Sequence, residues 1–112
     1  MTREEIEKLD GVELRAAVAR EVFGLETYNL HGEMMFRFED EDCYVPCYET
    51  DAGFMAAVHE MMARGFGFTM ECAKNDYSVA CGNGDKMTFG DAATIGVAVC
   101  RAALLCCGEV GE

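Results

Sequence analysis

Across a single glycine, the stretch YVPCYETDAGFMAAVHEMMARGFGFTMEC (Tyr44 to Cys72) switches its hydrophobic period from that of a helix to that of a strand. Phe54, Met55, Val58, Met61 and Met62 stand at i, i+1, i+4, i+7 and i+8, which is one apolar face of a helix. His59, Glu60 and Arg64 fall outside that face or at its rim, and Gly65 supplies a stop. Phe66, Phe68, Met70 and Cys72 then alternate with Gly67, Thr69 and Glu71, the mark of a half-buried strand. Thr50 or Asp51 is placed to cap the helix, and Pro46 keeps the 43–48 segment out of a central strand. Burying the five helical side chains is worth roughly 1.5–3 kcal/mol each before conformational entropy is subtracted. A one-sided helix running directly into a one-sided strand has to pack against a sheet, so the chain is held to layered helix-on-sheet arrangements.

The flanking segments extend this pattern. Thr2 and Glu5 match a capping box, and Asp10 restarts a helix with Glu13 three residues on. Leu14, Ala17, Val18 and Val22 form its apolar stripe, with Arg15, Arg20 and Glu21 on the other side and Gly24 past its end, giving a helix over about residues 11–23. LETYNL and MMFRFE, separated by His31, Gly32 and Glu33, read as a β-hairpin, with Glu39–Asp42 as its exit loop. Lys74-Asn75-Asp76 and Gly82-Asn83-Gly84-Asp85 are turn signals on either side of Tyr77, Val79 and Cys81. Met87 and Phe89 open a short further strand. Asp91 or Thr94 is placed to cap a last helix bearing Ile95, Val99, Ala102, Ala103 and Cys106 on one face, Gly108 stops it, and EVGE is a polar tail. The order is α-β-β-α-β-β-(β)-α: one α+β domain over residues 1–112, an α/β/α sandwich with a small, mostly antiparallel sheet and about three main helices.

Charge and cysteine usage narrow the function classes. Twenty-one acidic residues against nine basic ones give a net charge of −12, which repels phosphate backbones and disfavours direct nucleic-acid binding. The longest apolar runs are far short of the ~18 residues of a membrane span. The opening MTREEIEKLDG is charged throughout and is not a secretory signal. Seven cysteines, an odd number without zinc-ligand spacing, read as reduced thiols, most of them small core residues, in a cytosolic protein.

No catalytic constellation stands out. Neither His31 nor His59 has a carboxylate at metal-binding helical spacing, and the acidic run lacks the glycine of a calcium loop, with Tyr44 in its place. Gly82 and Gly84 follow a strand without a helix opening after them, which is a turn rather than a phosphate cradle. No cofactor, metal or enzymatic activity is therefore expected. The acid is concentrated: between Phe38 and Ala63 there is no Lys or Arg, but there are Glu39, Asp40, Glu41, Asp42, Glu49, Asp51 and Glu60. A solvated face explains such a run. The functional alternative is a dock for a basic partner, built from Glu39, Asp40, Glu41, Asp42, Tyr44, Tyr48 and Glu49.

Three stretches carry a resemblance. MTREEIEKLDGVELRAAVAREVFG, YETDAGFMAAVHEMMARGFGFTMEC and ATIGVAVCRAALL together resemble the phage ABA sandwich domain family, small proteins of bacteriophages and prophages. The most specific parts are ELRAAVAREVFG, the Tyr-x-Thr-Asp at Tyr48–Asp51 and CRAALL at Cys100–Leu105. The resemblance implies an α/β/α sandwich, a phage or prophage origin and residence in the bacterial cytosol. It brings no activity and no catalytic residues.

Two functions follow as expectations. One is a small non-enzymatic accessory protein that binds a host or phage protein through the acidic stretch. The other is a small-molecule binder that sequesters a nucleotide signal, for which Arg3, Arg15, Arg20, Arg37, Arg64, Lys74 and Arg101 would have to converge. So apolar a final helix is either buried on more than one side or forms a subunit interface, which adds the expectation of a homodimer formed through it.

Overall fold

The computed structural model describes residues 2–74, 76–84 and 87–110, the side chains of 109 and 110 excepted. Asn75 and Asp85 of the two expected turns, and residues 111–112 of the expected tail, lie outside the described residues. Four helices and two three-stranded antiparallel sheets make up an α+β fold. α1 spans Arg3–Lys8 and α2 Gly11–Glu21. A first meander follows, β1 (Thr27–Leu30), β2 (Glu33–Phe38) and β3 (Glu41–Tyr44). α3 (Phe54–Ala63) leads to the second, β4 (Gly67–Ala73), β5 (Asp76–Gly82) and β6 (Met87–Ala92), and α4 (Ile95–Val110) ends the described chain.

α4 is the axis of the core. It packs on β5 and β6 on one side and against α1, α2 and α3 on the other. Ala98 to Cys100 and Ala102 to Cys106 are all buried, and no described side chain of α4 is exposed. Its near-absence of charge is thus accounted for by the chain's own packing, and its described side chains present no exposed residue at which to seat the subunit contact expected from its composition. Nor does Gly108 stop it: the helix runs on to Val110, with Cys106 and Cys107 still held against the core.

Local chemistry explains most boundaries. The capping box forms, with Thr2 Oγ1 accepting from the Glu5 amide at 3.2 Å, and Asp10 caps α2 by accepting from the Gly11 amide at 2.9 Å. The helix α3 departs from expectation. Its N-cap is Gly53, because the Thr50 hydroxyl is taken up in a preceding turn, donating to the Cys47 carbonyl at 2.8 Å and accepting from the Gly53 amide at 3.1 Å. Asp51 turns instead toward the start of α4, where Oδ1 accepts from the Gly96 amide at 3.4 Å. The buried face of α3 is Ala57, Val58 and Met61 with Phe54 half-buried, whereas Met55 and Met62 are exposed. The apolar stripe read from the sequence is wider than the face the core covers.

The strands show two further differences. Glu39–Asp42 is not an exit loop: Glu39 and Asp40 make a two-residue turn, and Glu41 and Asp42 begin β3, paired with Phe38 and Arg37. The short strand opened by Met87 and Phe89 forms as β6, but its large apolar side chains are not the ones it buries. Thr88 and Gly90 face the core and are buried, while Met87 and Phe89 are exposed. α4 imposes this phase, since a Cβ on Gly90 would stand 2.3 Å from the Ala98 carbonyl oxygen. The Thr88 hydroxyl lies between two carbonyls, 2.9 Å from Ala102 and 3.2 Å from Cys81. Of the cysteines, Cys81, Cys100 and Cys106 serve the core as read, but Cys72, assigned an apolar phase, is exposed with Cys47.

Candidate functional site

The β2–β3 hairpin concentrates the exposed acid. Its turn, Glu39 and Asp40, has both residues at positive φ, +50° and +66°, the conformation that matches a tight hairpin to the twist of its strands. Glu39, Asp40, Glu41 and Asp42 are all exposed, as are Phe38 at 59% and Tyr44 at 70%. The register places Arg37 opposite Asp42 and Met35 opposite Tyr44. Arg37 is drawn into the hairpin, donating to the Asp40 carbonyl at 3.3 Å and lying 3.8 Å from Asp42 Oδ1. The Tyr28 hydroxyl on β1 donates to the same Asp42 oxygen, which holds that phenol above its ordinary range. Met34 and Phe36 anchor the hairpin on the core, and β1 rests on α2.

Two of the expected site residues do not share this surface. Tyr48 is buried at 3% exposure and stacks on Phe23, ring centroids 4.6 Å apart and planes at 13°. Glu49 is buried beside it and grips Arg15 with both carboxylate oxygens. Hydrogen bonding to Arg15 holds the Glu49 carboxyl below the usual carboxylate range against the opposing effect of burial, and raises Arg15 in return. Arg15, read as a residue of the outer side of its helix, is therefore structural. The signal that could have separated Tyr48 and Glu49 from the acidic run is Pro46, which closes the strand segment before them.

The basic residues do not converge. Arg3 pairs with Glu7, Arg15 with Glu49, Arg37 with Asp42 and Arg64 with Glu60. Arg64 also donates to the Val22 carbonyl. Arg101 reaches the carbonyls of Asp91 and Leu9, and its Nε is buried without a partner. It lines a shallow cleft of about 260 Å³ with Asp10, Ala92, Ala93, Thr94 and Val97. A wider cleft of about 530 Å³ at the β4–β5 end is lined, among the described residues, by Glu71, Cys72, Ala73, Asp76 and Ser78, none of them cationic. His31 sits in the β1–β2 turn and His59 is exposed on α3. Among the described residues, no group of three or more His, Cys, Asp or Glu side chains is placed to hold a metal ion. No described helix is long and apolar enough to cross a membrane.

No protein-family model and no curated protein matches the sequence. The fold does have a counterpart in a solved structure, a phage protein from Bacillus cereus ATCC 14579. The two superpose with a TM-score of 0.72 over 86% of this chain and 90% of that one, at 16% identity. The chain thus shares its fold with a phage protein.

Proposed function

We propose that the chain is a small phage or prophage accessory protein, of the ABA sandwich kind, that works in the bacterial cytosol as a non-enzymatic protein-binding module. The observation that carries this reading is the β2–β3 hairpin, where four consecutive carboxylates, Glu39 to Asp42, are exposed between Phe38 and Tyr44. An acidic tip flanked by exposed aromatic rings suits a basic protein surface, with the charges guiding encounter and the rings supplying contact area. Only Arg37 opposes this charge from within the hairpin. The phage fold counterpart and the sequence resemblance support the origin. The scattered arginines give the nucleotide-sequestering alternative no comparable support.

Affinity capture from the bacterial host with the wild-type chain and with a variant carrying Glu39→Gln, Asp40→Asn, Glu41→Gln and Asp42→Asn tests the reading. A basic partner is expected with the wild type, weakening as salt is raised and lost with the variant. Retention by the neutralised hairpin would overturn it.

A further inference from the structure

We propose that β4 is the seam of a homodimer, in which two copies pair their β4 strands antiparallel about a two-fold axis at Met70 and bring α3 together over the join. The four sheet edges of the described fold are not equivalent. β1 and β3 are four residues long, and β3 opens with Glu41 and Asp42. At β6, Arg101 donates to the Asp91 carbonyl at 2.9 Å. β4 is seven residues long, contains no Lys or Pro, and pairs with β5 residue for residue from Gly67–Gly82 to Ala73–Asp76, so no bulge turns it aside. Short length, charge, proline, bulges and covering groups are the devices that keep an edge from pairing, and β4 has only Glu71.

The occupant follows from register and charge. Met70 is the middle residue of Gly67–Ala73, so a dyad there pairs the whole strand. It sets Gly67 against Ala73, Phe68 against Cys72, and Thr69 against Glu71 of the second copy. The two Glu71 carboxylates never face each other. Phe68 and Met70 pack only partly against the core, and pairing would complete their cover. In a chain of net charge −12, most surfaces would meet their own copy with repulsion, but this one carries a single acid per strand offset from its mate.

A strand pair alone falls short of the roughly 1,200–2,000 Å² that a stable interface buries. α3 supplies more. It packs on β4, and its Arg64 end reaches toward α2 through the Val22 carbonyl. Met55 and Met62, seven residues apart and so on one line of the helix, project on the opposite flank and are 44% and 58% exposed. That flank bears no acid.

Sedimentation equilibrium of the full chain tests the seam, with Thr69→Glu, Thr69→Lys and Met62→Glu as variants. Both positions are exposed, and circular dichroism verifies that each variant folds. The wild type is expected to reach twice 12.3 kDa. Thr69→Glu sets like charges opposite each other at two symmetric places and should weaken the dimer by roughly 2–30-fold, while Thr69→Lys, opposite Glu71 of the second copy, should hold or tighten it. Met62→Glu should weaken it independently. A wild type that stays monomeric overturns the proposal, as does a dimer indifferent to these changes or one that both Thr69 variants shift in the same direction.

Discussion

Arg15 on α2 and Glu49, far along the chain in the segment before α3, form a two-pronged ion pair: Nε donates to Oε1 and Nη2 to Oε2, each at 2.9 Å. The pair fastens the 45–53 segment to the helical layer. The neighbouring residue strengthens the attachment, since Tyr48 stacks on Phe23 and its carbonyl accepts from the Cys100 thiol at 3.2 Å. The exposed hairpin and the buried segment after it thus differ in kind, although both are acidic in sequence.

Replacing Glu49 by Gln should expose the role of this pair through pH. The folded carboxyl lies below the ordinary carboxylate range, so its contribution to stability is complete above the ordinary value and is lost as pH falls through the lower folded one. The wild type and Glu49→Gln should therefore differ most near neutrality and converge in acid. Breaking a mostly buried pair with one partly hydrated partner should cost about 1–3 kcal/mol at pH 7. Urea unfolding of both proteins from pH 7 down to pH 3 checks this. A stability difference that does not change with pH would mean that the charge on Glu49 is irrelevant.

Gly96 makes a second expectation, with a sign opposite to helix propensity. It lies in the first turn of α4, where alanine would ordinarily gain about 1 kcal/mol over glycine. A Cβ there would stand 2.4 Å from the Glu49 carbonyl oxygen and 2.6 Å from that of Thr50, both main-chain atoms that cannot swing aside. Gly96→Ala should destabilise the protein by about 1–3 kcal/mol, as overpacked sites do. Thermal unfolding decides it, and a raised melting temperature would show that the 49–50 segment yields freely.

How much of this was legible in the sequence depends on whether the deciding contact is local. The helices α2 and α3, the Phe68–Met70 alternation of β4, the His31-Gly32 turn and the Thr2–Glu5 box all depend on neighbours a few residues away, and each is where the pattern places it. β3 was hidden because an edge strand made of Glu41, Asp42, Cys43 and Tyr44 has no apolar alternation to betray it. The phase of β6 was invisible because α4, not hydrophobicity, selects small Gly90 and Thr88 for the inner face. Burial of Tyr48 and Glu49 depends on Phe23 and Arg15, which no spacing rule connects to them.

The thiols should react in two groups. Cys47 and Cys72 are exposed, whereas Cys81 and Cys100 are buried, and burial pushes the Cys100 thiol up to about 12 and Cys81 higher still. The thiolate is the reactive form, so both hindrance and protonation protect the buried pair. An aromatic disulfide reagent at pH 8 should modify Cys47 rapidly, Cys72 rapidly in the separated chain and more slowly where β4 is paired, and Cys81 and Cys100 only at the rate at which the chain opens. Peptide mapping of the modified protein checks the assignment. Early labelling of Cys100 would mean that the Tyr48 segment detaches from α4 in the native state.

The hairpin tip offers an expectation that separates folding from recognition. Glu39 and Asp40 both adopt positive φ, a conformation that L-residues other than Asn and Asp occupy at a cost and that Asn-Gly fits best in a two-residue hairpin turn. Glu39→Asn with Asp40→Gly should therefore stabilise the protein by about 0.5–1.5 kcal/mol, since asparagine relieves the strain of Glu39 at +50° while glycine in place of Asp40 adds some freedom to the unfolded chain. The same exchange removes two of the four exposed carboxylates and leaves Glu41 and Asp42, with the Tyr28–Asp42 contact, in place. If the hairpin docks a basic partner, the double variant should melt higher and bind more weakly, and its binding should depend less on salt. Paired measurement of melting temperature and of affinity at two salt concentrations distinguishes the cases. A variant that is stabilised yet binds with unchanged salt dependence would place recognition elsewhere on the surface.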